Sequence, residues 1–166
     1  MTMHWMKSSL DELLRKYRFT STKTFDFNLG LSAGFRQWAA DSHCKYVHGY
    51  SLRIRMEFTS AHLDKRNWVV DFGSLKPLKA IIEGTFDHKY LVAYDDPHIE
   101  YFRQGHELGV LDLIEVPATG CEMFAAMIFE VTEQWLVDAG YSPRVKLDMI
   151  EVSEHNGNSA IARKKF

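Results

Sequence analysis

Three short clusters of residues in this sequence have side chains that can carry out acid–base or nucleophilic chemistry. The first contains His43, Cys44 and His48, with Lys45 directly after the thiol. A cysteine in such surroundings can act as a thiolate nucleophile or as a general base. Because short motifs arise by chance, this motif alone still favours a metal-free loop with incidental histidines.

The other two clusters contain carboxylates. Asp87 and His88 are adjacent, and a carboxylate can orient a neighbouring imidazole for proton transfer. Glu151 and Glu154 lie near the end of a predicted strand, where a carboxylate can accept hydrogen bonds from the paired N–H groups of a ligand. For Glu151 the favoured interpretation is a solvated turn. Neither cluster identifies a function by itself.

The apolar pattern predicts the elements that must position these clusters. Alternating or short apolar runs predict strands over residues 24–29, 51–58, 110–116, 145–153 and 159–162. Apolar residues at helical spacing predict helices over residues 8–17, 74–84 and 121–139. The apolar pattern changes sides at Met149 and Ile150, which indicates either a bulge or burial on both faces. Segments 30–50 and 94–109 are expected to be irregular.

These elements predict an α+β fold, with a four-stranded antiparallel sheet and two helices on one of its faces. Residues 1–21 are expected to form an N-terminal helical extension, and residues 22–166 a single domain. Such a sheet leaves two open edges, which proteins cover or pair. Pairing these edges between subunits would close a barrel, so we expect a homo-oligomer.

Composition excludes several classes of partner. The chain has 166 residues, of which 46% are hydrophobic and 25% charged, as in an ordinary globular domain. A net charge of −2 gives no electrostatic attraction for nucleic acid, and no apolar run is long enough to span a membrane. Cys44 and Cys121 lie far apart in the sequence, which favours a reducing compartment over a disulfide framework. We expect a cytoplasmic location.

Read in chain order, the clusters resemble the 6-pyruvoyl-tetrahydropterin synthase/6-carboxytetrahydropterin synthase family. The matching segments are residues 31–35 (F-S-A-A-H in the family), 44–50 (C-x-x-x-H-G-H), 87–91 (D-H-x-x-L), 117–125 (P-T-x-E-N-x-A, with one extra residue) and 154–158 (E-T-x-x-N). Each segment is short, but five in order over about residues 22–163 make the fold assignment specific.

The resemblance implies a tunnel fold, in which subunits pair sheet edges into a trimeric or hexameric barrel with active sites at subunit interfaces. It implies a pterin substrate, 7,8-dihydroneopterin triphosphate. One branch of the family makes 6-pyruvoyl-tetrahydropterin, and the other makes 6-carboxytetrahydropterin on the route to 7-deazaguanines such as queuosine precursors. The three residues between Cys44 and His48 are similar to the second branch.

The resemblance also assigns roles to residues of this chain. Cys44 would be the general base that moves side-chain protons, assisted by Asp87 and His88. Glu154 would hold the 2-amino and ring N–H groups of the pterin. Glu122 would make a second polar contact with the ring.

The family's zinc site is altered in this chain. The family binds zinc through three histidines, but here Phe35 and Tyr50 take two of the positions and only His48 remains. Because a catalytic zinc site needs three protein ligands, we predict that zinc binding is altered or absent. Either His43 completes the site, with Gln37 or Tyr50 as a weak ligand, or Arg36 or Lys45 supplies positive charge instead.

Three hypotheses about function follow from the sequence. The chain is an active lyase with a changed electrophile, an enzyme that cleaves the side chain of a related pterin by a different route, or a non-catalytic pterin-binding subunit. Product identification and the effect of substituting Cys44 would separate them.

Overall fold

The computed structural model describes residues 9–165. Its helices are α1 (Leu10–Lys16), α2 (Lys76–Phe86), α3 (Ile99–Glu107) and α4 (Cys121–Asp138). Its strands are β1 (Phe19–Phe25), β2 (Leu31–Phe35), β3 (His48–Ser60), β4 (Lys89–Ala93), β5 (Leu113–Val116), β6 (Lys146–His155) and β7 (Asn158–Ala162). None of the helices in this part of the chain is long and apolar enough to cross a membrane.

Strand β3 is the centre of the sheet. Its first half pairs with β2 and its second half with β1 along the same edge, while β6 pairs with the other edge and β7 follows β6. Strands β1, β3, β6 and β7 form the four-stranded antiparallel sheet that was predicted. The alternation of β3 buries Leu52, Ile54, Met56 and Phe58 under the helices. Helix α4 packs on β6 and β7, and α2 packs on β2 and β4. The predicted α+β architecture is confirmed.

The sheet also extends beyond the predicted strands. Residues 31–35, expected to be irregular, form β2, which pairs with β4 in parallel, and β4 pairs in parallel with β5. Sequence periodicity missed β2 because it has only five residues and carries Ser32 and Gly34 on its second face. It missed β4 because Leu91 and its neighbours are buried on both faces, which removes the alternation.

Segment 94–109 was expected to be irregular, but it contains α3. This nine-residue helix is mostly polar and buries only Phe102. Phe102 packs with Tyr90 and Val92 in a small second cluster, whereas Leu91 belongs to the main core. Since neighbouring residues of a strand point to opposite faces, α3 covers the sheet face opposite α2.

The first strand differs from the prediction. It spans Phe19–Phe25 and not residues 24–29, because Asp26 caps a 3-10 turn over Phe27–Leu29 and Gly30 ends that turn with a positive φ of 76°. The predicted first helix is present as α1, with a capping box between Ser9 and Glu12. The first eight residues of the predicted extension, and residue 166, lie outside the described residues.

The bulge, one of the two alternatives predicted for the penultimate strand, is confirmed. Glu57 pairs with Met149, but the next residue, Phe58, pairs with Leu147, so Asp148 is the extra residue of β6. The bulge explains why apolar residues change sides at this point of the sequence.

Candidate active site

The three family zinc positions lie together at the β2–β3 pairing. Phe35 is the register partner of His48, and Ala33 is the partner of Tyr50, so the three side chains share the face that the helices cover. Ring centroids are 4.9 Å apart for Phe35 and His48, and 5.6 Å apart for His48 and Tyr50. The backbones of β2 and β3 approach closely at Gly49, where a Cβ would lie only 2.6 Å from the Ala33 carbonyl oxygen.

Phe35 places a buried apolar ring at the first of the three family zinc positions. Its side chain is 0% exposed and meets Phe124 of α4 edge-on, with centroids 5.1 Å apart. His48 is half-buried, and its Nδ1 lies 2.7 Å from the Tyr46 carbonyl oxygen. Because a carbonyl oxygen only accepts, Nδ1 donates its proton to Tyr46.

The donor set does not fit the family's zinc ion. Within residues 9–165, no group of three or more histidine, cysteine, aspartate or glutamate side chains is arranged to hold a metal. His43, predicted as a replacement ligand, is exposed on the 3-10 turn over His43–Lys45. Gln37, predicted as a weak ligand, directs its amide nitrogen at Gly120, where a Cβ would be only 2.7 Å away.

Cys44 is held by the same 3-10 turn. The Ser42 hydroxyl accepts a hydrogen bond from the Cys44 N–H at 3.3 Å, and the Gln37 N–H donates to the Cys44 carbonyl at 2.9 Å. The thiol is half-buried. The turn therefore places Cys44 just beyond the end of β2, beside the aromatic residues.

Tyr50 lies beside the predicted pterin anchor. Its ring centroid is 6.2 Å from that of His155, which directly follows Glu154 at a bulge of β6. Burial raises the pKa of the Tyr50 phenol, and the negative charge of Glu154 raises it further.

Cys121 is a site residue that the sequence analysis missed. It lies buried at the start of α4, and burial raises its pKa to about 12, with the charges of Glu154 and Glu122 adding to the effect. It is therefore a neutral thiol beside the carboxylate of Glu154. Starting the P-T-x-E-N motif at Thr119 places Cys121 at the motif's glutamate position, a signal that would have found it.

Glu122, the predicted second pterin contact, is exposed in the first turn of α4. Its negative charge contributes to the raised pKa of Cys121, so Glu122 lies near that thiol but at the exposed edge of the site.

The predicted Asp87–His88 dyad is formed. His88 Nδ1 lies 2.8 Å from Asp87 Oδ1, and the same oxygen accepts the Ser32 N–H at 3.2 Å. The hydrogen bond from Ser32 lowers the pKa of Asp87, and His88 lowers it further. The backbone of His88 has a positive φ of 56° and donates to the Ser32 carbonyl at 2.7 Å. The imidazole is 83% exposed.

One subunit does not bring the dyad to Cys44. The dyad is tied to Ser32, near the start of β2, while the Cys44 turn is tied to Gln37, beyond its end. From Ser32 to Phe35 alone the strand rises about 10 Å. The dyad and the thiol thus lie at opposite ends of the same strand.

Arg36, predicted as a substitute cation, is already paired. Its Nε and Nη2 donate to the two carboxylate oxygens of Asp96 at 2.8 and 2.6 Å. Lys45 is exposed, with its Nζ 5.4 Å from the Tyr46 ring centroid. Neither side chain replaces a metal ion at the three family positions.

With this geometry established, comparison with known proteins identifies the family. Residues 21–165 match the family model described as 6-pyruvoyl tetrahydropterin synthase. The chain belongs to this family. A Halobacterium salinarum protein named probable 6-carboxy-5,6,7,8-tetrahydropterin synthase is 30% identical over 114 residues, covering 69% of each chain.

Solved structures share the fold at low sequence identity. An uncharacterized protein from Wolinella succinogenes superposes with a TM-score of 0.76 and 18% identity, covering 90% of this chain and 100% of its own. The 6-pyruvoyl tetrahydropterin synthase of Plasmodium falciparum superposes with a TM-score of 0.66 and 14% identity, covering 90% and 99%. These structures support the tunnel fold of this family member.

Proposed function

We propose that this family member is a lyase of the 6-carboxytetrahydropterin synthase type, which acts on 7,8-dihydroneopterin triphosphate without the family's three-histidine zinc site. The observation that carries this proposal is a continuous series of contacts from the Cys44 turn, bonded to Gln37 beyond Phe35, through the rings of Phe35, His48, Tyr50 and His155 to the neighbouring Glu154. A base and a pterin anchor on either side of one small region is the arrangement that side-chain proton abstraction requires.

Each group has a role in this proposal. Glu154 accepts the 2-amino and ring N–H hydrogen bonds of the pterin. Cys44, as thiolate, removes a proton from the substrate side chain, and triphosphate leaves. Addition of water and cleavage of the bond between the first and second side-chain carbons then release acetaldehyde and leave the 6-carboxyl group. Because its pKa is raised, the Tyr50 phenol keeps its proton and donates a hydrogen bond to the oxyanion that develops.

The Asp87–His88 dyad of a neighbouring subunit completes the proposed site. The dyad is exposed and lies at the opposite end of β2 from the thiol, which supports a homo-oligomeric, trimeric or hexameric assembly with active sites at its interfaces. A place in 7-deazaguanine synthesis, as for queuosine precursors, and a cytoplasmic location belong to the same proposal. The name of the Halobacterium salinarum relative supports the choice of branch.

A second candidate is a pterin-binding protein with a different cleavage reaction or none. The observation that favours it is the burial of Phe35, which removes a metal ligand from the reaction centre. In this candidate Glu154 still binds the pterin, but Cys44 does not determine turnover.

The test is incubation of the purified protein with 7,8-dihydroneopterin triphosphate, with mass analysis of the products and fluorescence titration of pterin binding. We expect 6-carboxytetrahydropterin from the wild type, a loss of at least about 100-fold in kcat for Cys44→Ala, and unchanged binding. A product of another mass supports the second candidate. So does pterin binding without turnover.

Mixing two inactive variants tests the shared site. Cys44→Ala and His88→Ala subunits, dissociated and reassembled together, should regain part of the activity, because some interfaces then hold an intact thiol and an intact dyad. The two variants reassembled separately are the controls. Failure of the mixture to regain activity, with mixed oligomers confirmed by native mass spectrometry, would contradict an interfacial site.

A further inference from the structure

Arg36 lies where three separate segments around the candidate site meet. It directly follows Phe35 at the end of β2. Its guanidinium binds Asp96, which opens the segment containing α3, with both oxygens at 2.8 Å or less. The same guanidinium donates to the Lys45 carbonyl of the Cys44 turn at 3.3 Å.

The backbone of Arg36 makes the third connection. Its carbonyl accepts a hydrogen bond from the Thr119 hydroxyl at 2.6 Å, just before α4 begins at Cys121. The next residue, Gln37, donates its N–H to the Cys44 carbonyl and places its amide beside Gly120. The Cys44 turn and the start of α4 are therefore both fixed relative to one residue.

Asp96 is buried and held in place by a second hydrogen bond. The residue is 3% exposed, and its Oδ1 also accepts a hydrogen bond from the His98 N–H at 2.8 Å. The Arg36 guanidinium lies over the Phe102 ring of α3, with 5.6 Å from its central carbon to the ring centroid. A planar guanidinium that is bidentate on one side and covered by a ring on the other has little freedom to rotate.

We propose that the Arg36–Asp96 ion pair is a positioning device, through which segment 94–109 sets the distance between the Cys44 thiol and the substrate-binding start of α4. Neither residue touches the substrate. This inference rests on the proposed function for its kinetic effect, but its structural effect on Cys44 is independent of turnover. Segment 94–109 then supports the active site from the opposite sheet face.

The contacts predict a specific consequence of weakening the pair. Asp96→Asn keeps a hydrogen-bond acceptor of the same shape but removes the charge, so the guanidinium loses its fixed orientation. The Cys44 turn then shifts relative to Glu154. Because small misplacements of a reacting group have large kinetic effects, we expect kcat to fall about 10- to 100-fold. Pterin binding, which depends on Glu154, should change less than about threefold.

The experiment combines kinetics with a direct probe of the thiol. Alkylation of Cys44 by iodoacetamide is followed by peptide mass spectrometry, which distinguishes it from Cys121. We expect Asp96→Asn to change the Cys44 alkylation rate at least about threefold, because the exposure of the thiol depends on the position of its turn. Arg36→Lys keeps the charge but loses the bidentate geometry, so it should behave like Asp96→Asn, and Asp96→Glu should restore part of the wild-type rate.

A matched control exists on the same helix. Arg103 of α3 makes a bidentate pair with Glu115, at 2.7 Å to each oxygen, but this pair lies on the surface and away from the Cys44 turn. Glu115→Gln should leave kcat and Cys44 alkylation unchanged.

Two outcomes would overturn the proposal. One is Cys44 alkylation and pterin turnover within twofold of the wild type in folded Asp96→Asn and Arg36→Lys proteins. The other is an equal effect of Glu115→Gln. If the wild type has no turnover, the alkylation result still decides the positioning role, while the proposed function fails separately.

Discussion

The rings of Phe35 and His48 lie side by side on paired strands, with centroids 4.9 Å apart and their planes inclined by 56°. In the family pattern both positions are histidine, and the structure retains the register that would bring such ligands together. The alteration therefore lies in the side chains and not in the backbone that holds them. A zinc site should be recoverable by substitution alone.

We expect the double variant Phe35→His with Tyr50→His to bind about one zinc ion per subunit, because it restores three imidazoles on one face. Elemental analysis of tag-free protein measures this. Adding His48→Ala to the double variant should abolish the binding and is the control. Since Phe35 packs on Phe124, the double variant should also lose about 1–3 kcal/mol of stability. No zinc in a folded double variant would show that the backbone has shifted away from the family geometry.

Tyr50→Phe tests the proposed oxyanion donor. Removing one preorganised donor typically lowers kcat by about 100- to 1,000-fold. The ring remains, so pterin binding should be nearly unchanged. Steady-state kinetics and fluorescence titration measure the two effects. A kcat equal to that of the wild type would mean that another group stabilises the developing charge.

Glu154→Gln should lower the pKa of Cys121. Burial, the largest cause, remains in the variant, but the negative charge beside the thiol is lost. The pKa should therefore fall from about 12 while staying above the ordinary thiol value. The pH dependence of Cys121 alkylation measures it. Glu122→Gln, at the exposed edge of the site, should lower the pKa of Cys121 by less. A larger decrease for Glu122→Gln than for Glu154→Gln would show that Glu154 does not lie next to the thiol.

Two glycine substitutions should have opposite effects on stability. Gly49→Ala places a methyl group 2.6 Å from the Ala33 carbonyl oxygen and should cost about 1–3 kcal/mol. Gly84→Ala lies in α2 with no atom within 4 Å of the new methyl, and should gain up to about 1 kcal/mol. Chemical denaturation of both variants measures the difference. Equal stabilities would mean that β2 and β3 separate easily.

Asp96→Asn should alter the acid dependence of stability. Burial raises the pKa of Asp96, but its hydrogen bonds and the charge of Arg36 outweigh this effect and hold the pKa below its usual value. The ionised pair therefore stabilises the fold above about pH 4, and this contribution is lost as the pH falls through the lowered pKa. At pH 7 the variant should be about 3–5 kcal/mol less stable.

The difference between wild type and Asp96→Asn should shrink between pH 5 and about pH 2. Other carboxylates with lowered pKa values, such as Asp87 and Asp112, are present in both proteins and cancel in the comparison. A difference that stays constant with pH would show that the carboxylate is not ionised in the folded state.

Sequence alone was sufficient for the elements whose burial is one-sided. Strand β3 alternates because one face meets the helices, and α4 has a long apolar stripe for the same reason. Strand β2 was missed because it has only five residues and carries Ser32 and Gly34 on its second face, and β4 was missed because it is buried on both faces. Helix α3 was missed because its nine residues are mostly polar and include a single buried side chain.

The candidate site was predicted in its parts but not in its arrangement. Motif spacing located Cys44, Glu154 and the Asp87–His88 dyad. It could not show that the dyad is hydrogen-bonded near the start of β2 while the thiol lies beyond the end of β2. The order of motifs in the sequence does not reveal which end of a strand each motif contacts. Cys121 was not assigned to the site, because the motif was aligned from Pro117, which places Glu122 and not Cys121 at the motif's glutamate position.

The triple pairing of β3 has a consequence for how the chain reaches its native state. Ile54 pairs with Val152, nearly one hundred residues further along the chain. During synthesis β3 emerges with β1 and β2 already available for one edge, but its other edge has no partner until β6 is made. Pairing over such a separation is slow, and an unpaired apolar strand edge promotes aggregation. The yield of soluble protein should therefore depend on temperature and on chaperones, while β3 amides, once paired, should be among the slowest to exchange with deuterium.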